Sequence, residues 1–483
     1  MRLFFISLVI VLAGTLYSQE LWNPVEFNTR EETRIKVSKF DFYKLDLTLL
    51  KESLTKASNE FQRDNQGVII EIPMAGKSPQ RFRVKQTNTI HESLRSKYPG
   101  IDNFVIQSVD NPRIHGRIDY TYQGFHAIIK DGSSTTFIDP AFEHNGDYYM
   151  VYTRREAINT KSFECYFSKE DDFKPYERMG VSFSDNMLRT YRLALSCTGE
   201  YAQFHGGTTP LVLSAMNTTI NRVNFVYELE YSVRFEIIPN TDVLIYLNPI
   251  TDPYDNDDIG KQLDQNQIEC DTKIGAANYD IGHIFSTGGG GLAGYAVVCK
   301  NNKAWGGTGS SKPINDPFDI DYVAHEIGHQ LSGSHTQNNS CNRDNSACYE
   351  PGSASTIMGY AGICSPNVQN NSDAYFHGYS IQEMSQYIVS DFGNQCPTKI
   401  QLDGVIPTIT TSTGNHTIPK LTPFELKAEA DGDSSLIYQW DQLDKGIGET
   451  QPPKSTNKIS PLFRSYWGNE TGKDFPGNQL HCQ

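Results

Sequence analysis

The chain of 483 residues contains no long hydrophobic run after its first eighteen residues. A helix that crosses a bilayer needs about 20 mostly apolar residues, so the sequence argues against a membrane-spanning segment in the mature protein. Positive charge is also scarce, because 42 lysines and arginines stand against 57 aspartates and glutamates and give a net charge of −15. This balance argues against nucleic acid or an anionic membrane as the partner.

The first residues of the chain have the pattern of an export signal. Residues 1–18 combine one positive charge at Arg2, an apolar run from Leu3 to Ala13 and small residues before Gln19. This pattern predicts a signal peptide and therefore a secreted, extracellular protein. Nine cysteines in an exported chain predict disulfide bonds, and the odd number leaves at least one cysteine unpaired or paired outside this sequence.

The length allows about three domains, and the composition divides the chain accordingly. Residues 19–186 alternate strand-like stretches with turn signals and end in a charged linker, which predicts a β-rich region without a catalytic constellation. Residues 187–397 are predicted to form a compact α+β domain. Residues 398–483 are rich in Thr, Pro and Gly, and the alternating stretches 424–430 and 436–440 predict a hairpin from a partial β-sandwich.

Hydrophobic periodicity predicts the elements of the α+β domain. The expected strands are 191–195, 233–237 and 280–285. The expected helices begin at Pro210, near Asp257, after a cap at Asp319, and at Ser380 with a capping box completed by Glu383. The helix after Asp319 bears the most informative residues of the chain.

Residues 325–335, His-Glu-Ile-Gly-His-Gln-Leu-Ser-Gly-Ser-His, offer three metal ligands around one base. On a helix His325 and His329 share a face, because they lie four residues apart. Glu326 can then reach a metal-bound water without binding the metal itself. His335 as a third imidazole leaves a fourth position open, which is the arrangement of a catalytic Zn²⁺ site.

One position departs from the pattern H-E-x-x-H-x-x-G-x-x-H. Ser332 stands where the pattern has glycine, and Gly333 follows it. Because glycine adopts positive φ more readily than serine, we expect the chain to turn away from the helix at Gly333. Downstream, the segment from Ser355 to Tyr360 contains Met358 and is typical of the methionine turn that accompanies this motif.

Further segments match a known family. They are Thr198–Tyr201, Asn221–Asn224, Ala277–His283, Ser286–Cys299 and Asp316–Glu326. With the zinc motif and the Met358 turn, the stretch from Leu188 to Cys396 resembles the catalytic domain of secreted reprolysin-like, adamalysin-related zinc metallopeptidases of the metzincin clan. The preceding region is similar to the prodomain of the same group, and the hairpin near Trp440 is similar to the sandwich that often follows.

The resemblance implies a zinc endopeptidase that is made as a zymogen and hydrolyses peptide bonds of proteins or peptides. Its catalytic domain would have a twisted, mostly parallel sheet with helices, above a smaller C-terminal subdomain. By the family pattern His325, His329 and His335 hold one Zn²⁺, and Glu326 is the general base. Met358 would form a hydrophobic floor below the ligands.

Several further features have both a functional and a plain structural interpretation. Tyr360 either stabilises the oxyanion near zinc or is a core tyrosine. Cys165 either binds zinc as a thiolate in the zymogen or joins a disulfide. Residues 292–296 either bind substrate or are an ordinary sheet edge. The acidic run 252–258 either binds Ca²⁺ or is a solvated loop. At least one disulfide is expected among Cys341, Cys348 and Cys364.

Two rival hypotheses remain open. A thermolysin-like site would use Glu350 in place of His335 as the third ligand, although the intervening residues are typical of a loop. A secreted adhesion or binding protein would keep the fold and lose the chemistry, and the intact Glu326 argues against it. Zinc content of variants at the two candidate ligands tests the first rival, and chelator-sensitive proteolysis tests the second.

Overall fold

A computed structural model gives the fold of the chain. It describes residues 21–28, 31–62, 67–132, 134–143, 146–158, 165, 185–414, 416–419, 422, 424–432, 436–449 and 461–468, and the backbone of 473–475. The predicted signal peptide and most of the predicted linker lie outside these ranges. Helices and strands are both abundant, so the predicted α+β class is confirmed. No helix in the described ranges is long and apolar enough to cross a membrane.

In the described part of the predicted N-terminal region (19–186), one sheet has nine strands in the order β1-β2-β9-β8-β7-β6-β5-β4-β3. All its neighbouring strands are antiparallel, in agreement with the alternation of strand-like stretches and turn signals. The elements are β1 (Trp22–Pro24), β2 (Asp41–Leu45), α1 (Leu47–Leu54), β3 (Val68–Met74), β4 (Lys77–Thr87), α2 (Glu92–Lys97), β5 (Asp102–Ser108), β6 (His115–Thr121), β7 (Gly124–Asp131), β8 (Ser134–Pro140) and β9 (Tyr148–Thr153).

Strands β7 and β8 are buried on both faces, and the two faces belong to different hydrophobic clusters. Ile129 packs with Phe82 and helix α1 in a cluster that the N-terminal region forms by itself. Its neighbour Ile128 packs with Phe137 in a cluster that continues into the following domain. The division follows from strand geometry, because successive side chains of a strand point to opposite faces. One hydrophobic core therefore spans two regions of the chain.

The central domain, residues 187–397, contains a mixed sheet in the order β11-β10-β12-β14-β13. The pairings β10–β11, β10–β12 and β12–β14 are parallel, whereas β13 pairs antiparallel with β14 at the sheet edge. The mostly parallel sheet that the resemblance implies is thus present. Its elements are β10 (Met187–Cys197), α3 (Gly199–Phe204), α4 (Thr209–Tyr231), β11 (Val233–Ile237), α5 (Ile259–Glu269), β12 (Ile281–Ser286), β13 (Gly290–Ala293), β14 (Gly306–Gly309), α6 (His325–Gln330) and α7 (Gly378–Ser390).

Helix α4 joins the central domain to the N-terminal sheet. Its apolar side chains, such as Met216 and Ile220, lie in the shared hydrophobic cluster. Its polar side chains are buried as well, since the N-terminal sheet covers them: Asn217 exchanges hydrogen bonds with Asn103, and Arg222 forms an ion pair with Asp139 at 2.6 Å. A helix that is buried on both its polar and its apolar side is consistent with contact between two layers of structure.

Two predicted helix caps are wrong. The helix with the zinc motif begins as a π-helical segment, Pro317–Ala324, that continues into α6, so Asp319 lies inside it. Its carboxylate accepts hydrogen bonds from Thr219 and Arg222 instead, because the buried guanidinium of α4 needs an acceptor. Helix α7 has His377 as its N-cap, so Glu383 lies within the helix and its side chain reaches another segment.

Two disulfide bonds close the central domain. Cys341–Cys364 fulfils the expectation of a bond within the loop around the methionine turn. Cys299–Cys396 joins the segment after β13 to the end of the domain. Four other cysteines within the described ranges are buried without a disulfide, Cys165, Cys197, Cys270 and Cys348.

The C-terminal region, residues 398–483, contains short strands that pair differently from the predicted hairpin. Strand β15 (Thr398–Gln401) adds to the central sheet beside β10. Strand β18 (Ala428–Asp431) pairs with β16 (Thr408–Ser412), and β17 (Phe424–Leu426) pairs with β19 (Lys473–Phe475). Residues 436–440 form no extended strand, so the expected hairpin with 424–430 is wrong. The partial β-sandwich stays a prediction.

Segments 436–449 and 461–468 lie against the central domain. Asp441 accepts a hydrogen bond from the backbone N–H of Gly378, the first residue of α7, at 2.8 Å. Glu449 accepts one from the N–H of Gly352, and the ring of Trp467 lies 5.4 Å from that of Tyr375. These segments therefore cover the loops that follow the zinc motif.

Candidate metal centre

The helix α6 and the chain that leaves it bring the three predicted imidazoles together. His325 and His329 lie one turn apart on the helix, with their Nε2 atoms 3.1 Å apart. The Nε2 atom of His335 lies 3.2 Å from that of His325 and 3.1 Å from that of His329. All three side chains are buried. The predicted grouping of these histidines is therefore seen in the structure.

The turn that places His335 differs from the expectation. Ser332 itself adopts positive φ, +76°, whereas Gly333 does not, so the prediction that Gly333 makes the turn is wrong. The N–H of Ser332 donates to His329 O, and the N–H of Gly333 donates to Gly328 O at 2.7 Å. Such bonds close helix ends that usually have glycine at the position with positive φ. Here Ser332 occupies that strained position.

Each imidazole is oriented by a backbone carbonyl. Nδ1 of His325 lies 2.7 Å from Ile357 O, Nδ1 of His329 lies 2.7 Å from Gly333 O, and Nδ1 of His335 lies 2.8 Å from Asn342 O. A carbonyl can only accept, so each ring carries its proton on Nδ1 and turns the lone pair of Nε2 toward the centre. Burial lowers the pKa of His325 to about 4 and that of His335 to about 3, which favours the neutral, metal-binding form.

Cys165 of the N-terminal region completes the cluster. Its Sγ lies 3.6 Å from Nε2 of His329 and 3.7 Å from Nε2 of His335. The four ligand atoms lie within 4.8 Å of one another and form the only such group in the described part of the chain. The carbonyl of Cys165 accepts hydrogen bonds from Asn342 Nδ2 and the Tyr360 hydroxyl, and its backbone bridges Gly291 of the edge strand β13.

The dimensions of the cluster fit a tetrahedral zinc ion. Zn–N bonds of about 2.0–2.1 Å and a Zn–S bond of about 2.3 Å place nitrogen atoms about 3.3 Å apart and nitrogen and sulfur about 3.6 Å apart. The three distances between Nε2 atoms, and the two distances from Cys165 Sγ to Nε2 of His329 and of His335, agree with these values to within about 0.2 Å. Three neutral imidazoles and one thiol, all buried, are also a donor set that zinc prefers.

Two other predicted residues lie at the cluster. Glu326 is fully buried, and burial raises the pKa of its carboxyl group to about 8, while Cys165 acts in the opposite direction. Met358 packs directly beneath α6: a β-carbon at Gly328 would come within 2.5 Å of its sulfur. The helix therefore requires glycine at this position because the methionine side chain fills the space.

Tyr360 lies beside the histidine cluster, whereas Glu350 is not one of its ligands. The Tyr360 ring lies 4.7 Å from that of His335, and its hydroxyl is occupied by Cys165 and Asn342. Glu350 is buried, but its carboxylate does not belong to the ligand cluster. The rival thermolysin-like ligand set is therefore not the arrangement observed. Asn342 was missed by the sequence analysis, because its role depends on a loop with no recognisable spacing.

Calcium gains no support from the structure. Asp252 accepts hydrogen bonds from the N–H groups of Gly199 and Tyr254. Asp255 and Asp258 both pair with Lys261, and Asp258 caps helix α5. These carboxylates satisfy local donors, which is the solvated-loop interpretation of the acidic run.

Comparison with known proteins places the central domain in a family. Residues 187–387 match the family model described as metallopeptidase family M12B, reprolysin-like. This part of the chain is a reprolysin-like metallopeptidase domain, as the sequence resemblance suggested. Peptidases of this family use zinc and act on proteins or peptides.

No curated protein matches the chain. Among solved structures the chain is similar to metalloproteinase-II from Bacteroides fragilis, with 11% sequence identity over 70% of this chain and 94% of that chain, and a TM-score of 0.42.

Proposed function

We propose that the protein is a secreted zinc endopeptidase made as a zymogen. The observation that carries the proposal is the group of three Nε2 atoms and one Sγ atom with the dimensions of a tetrahedral zinc site. Three of these ligands belong to the peptidase domain, and the fourth, Cys165, belongs to the N-terminal region. The two disulfides support an extracellular location.

In the latent state Cys165 blocks the centre in two ways. Its thiolate would take the fourth ligand position of a bound zinc ion, the position that a catalytic zinc site keeps for water or substrate. Its backbone forms a β-bridge with Gly291 on β13, the edge strand that we propose for substrate binding. Substrate and the N-terminal region therefore compete for the same strand and the same ligand position.

In the active state His325, His329 and His335 would hold a zinc ion, which when bound would lower the pKa of a water molecule and polarise the substrate carbonyl. Glu326 accepts a proton from the water as its oxygen forms a bond to the carbonyl carbon. The same carboxyl group then returns the proton to the nitrogen as the C–N bond breaks, which releases an amine and a carboxylate. Tyr360 is a candidate to donate a hydrogen bond to the oxyanion once Cys165 has left its hydroxyl free.

The latency is tested with the cobalt-substituted precursor. A cysteine thiolate bound to cobalt gives a charge-transfer band, so we expect this band in the unaltered precursor and its loss in Cys165→Ala. Cys348→Ala is the matched control, because this cysteine is also buried and outside the cluster. A Cys165→Ala precursor that stays latent and keeps the charge-transfer band would contradict the proposed role.

The chemistry is tested with Glu326→Ala. We expect this variant to retain one zinc ion and to lose activity on a generic protein substrate by a factor of about 10² to 10⁴, the usual contribution of a general base. Full proteolysis by the variant would contradict the assignment. If the unaltered mature protein binds zinc but cleaves no protein substrate, this result would favour the alternative of an inactive adhesion protein.

A further inference from the structure

Of the three histidines, His335 is the one that lies outside the helix. His325 and His329 are fixed by the hydrogen bonds of α6, whereas His335 follows the helix end at a serine with positive φ. A ligand outside regular structure needs other contacts to hold it, because fixing a loose side chain at the moment of binding costs conformational entropy. The residues on each side of His335, Ser334 and Thr336, show where these contacts are made.

Glu383 of helix α7 holds the residue before His335. Its carboxylate accepts hydrogen bonds from the backbone N–H and the hydroxyl of Ser334, both at 2.8 Å. It also accepts one from the hydroxyl of Tyr295 at 2.9 Å. Glu383 is 3% exposed, so these bonds lie away from water and their geometry is restrictive.

Glu350 holds the residue after His335 and, with the same carboxylate, the start of the methionine turn. It accepts a hydrogen bond from the Thr336 hydroxyl at 2.7 Å and one from the N–H of Ser355 at 2.9 Å. The hydroxyls of Ser355 and Thr356 and the N–H of Thr356 also donate to it. All of these donors are neutral, and the side chain is completely buried.

The methionine turn contacts the ring of one predicted ligand and the residue next to another. Ile357 O accepts from the His325 ring, and Met358 O accepts from the N–H of Thr336 at 3.1 Å. Glu350 therefore connects two segments that both touch zinc ligands. A buried carboxylate is costly to maintain, and here its cost is offset by five hydrogen bonds that fix the loop.

We propose that Glu350 and Glu383 are positioning residues that hold His335 at the metal from its two sides. The proposal rests on the zinc site proposed above. It makes Glu350 part of the support of the ligands and excludes it as a ligand itself. Loss of a residue that orients a metal ligand usually lowers metal affinity by about 10–100-fold.

The test measures zinc affinity of the full-length precursor by competition with a chromophoric chelator, which does not depend on activity. We expect Glu350→Gln and Glu383→Gln each to weaken zinc binding by about 10–100-fold. Glu449→Gln is the matched control: this glutamate of the C-terminal region is also buried, and its carboxylate accepts a hydrogen bond from the N–H of Gly352, which is not adjacent in sequence to any of the three histidines. Its zinc affinity should stay within about twofold of the unaltered protein.

Thr336 provides a milder test if the glutamine variants do not fold. Thr336→Val removes one donor from Glu350 and leaves the other four, so the fold should persist while zinc binding weakens. Thr336→Ser keeps the hydroxyl and should restore the affinity. Zinc affinity unchanged in both Thr336→Val and folded Glu350→Gln would overturn the proposal.

Two other outcomes separate this inference from the proposed function. An unaltered precursor that binds no zinc would overturn the zinc site itself. Loss of all zinc from Glu350→Gln together with retention in His335→Ala would make Glu350 a ligand and would also overturn the inference.

Discussion

The N-terminal and C-terminal regions contact the peptidase domain in contrasting ways. The N-terminal region contributes to the main hydrophobic cluster and places Arg154 between Asp316, the N-cap of the π-helical segment, and Asp321 within that segment. The C-terminal region has exposed strands, such as β16, and contacts the domain through strand β15 beside β10 and through side chains such as Asp441. The first interface is part of one folded unit with the enzyme, and the second adds local support to it.

Arg154→Met is expected to have the largest effect, because it removes a buried cation from two buried carboxylates. Breaking a buried ion pair from one side costs about 3–5 kcal/mol, so the free energy of unfolding of the precursor should fall by about that amount. The measurement is denaturant unfolding of the precursor. The exposed neighbour offers a control, since Arg155→Met makes the same chemical change outside the interface; equal effects of the two variants would refute the contrast.

Lys130 gives a pH-dependent test, because it lies between the two regions. Its Nζ is 4.3 Å from the ring centroid of Trp467, and burial lowers its pKa to about 8, with Asp373 acting in the opposite direction. The unfolded chain keeps a lysine pKa of about 10.4, so between pH 8 and 10.4 it binds more protons than the folded state. Stability relative to Lys130→Met should therefore rise by up to about 3 kcal/mol across this range.

Calorimetric or denaturant unfolding of both proteins at pH 8 and pH 10.4 measures this difference. A constant difference between the unaltered precursor and Lys130→Met would mean that Lys130 titrates as in the unfolded chain.

Asp441→Ala should have a smaller effect. The variant leaves the first N–H of α7 without its acceptor and removes a negative charge from the helix N-terminus, which together cost about 1–2 kcal/mol. A lowered midpoint of thermal unfolding is the expected result. Asp444→Ala, at an exposed position three residues away, should leave the midpoint unchanged; a similar loss in both variants would argue against the capping role.

Ile409→Ala in β16 should have the smallest effect. This side chain is 66% exposed, so its truncation removes little buried area and should change the free energy of unfolding by less than about 0.5 kcal/mol. A loss of more than about 2 kcal/mol, typical of a core isoleucine, would show that β16 is covered in solution.

The grouping of the three histidines was predictable from the spacing of residues 325–335. The local strands and helices of the central domain were also predictable, because periodicity reflects which face is buried. The helix caps predicted at Asp319 and Ser380 are wrong. The carboxylate of Asp319 binds Arg222, and that of Glu383 binds Ser334, which both lie far away in the sequence. Tertiary partners override local patterns in both cases.

The turn at Ser332 and the position of Cys165 show the same limit of prediction from sequence. Serine is a poor choice for positive φ by itself, and only the bonds that close the helix end make it suitable. Cys165 had no motif to identify its role, because its ligand position depends on how the N-terminal region lies on β13. Sequence spacing predicts what one helix can hold, whereas contacts across the chain require the fold.

The position of Arg154 has a practical consequence for producing the enzyme. A gene cut down to residues 187–397 would be translated into a polypeptide whose Asp316 and Asp321 lack their guanidinium partner and whose helix α4 loses its cover. We expect such a product to collect in inclusion bodies. Encoding residues 19–186 on a second plasmid in the same cell should supply the missing surface and bring soluble protein into the lysate.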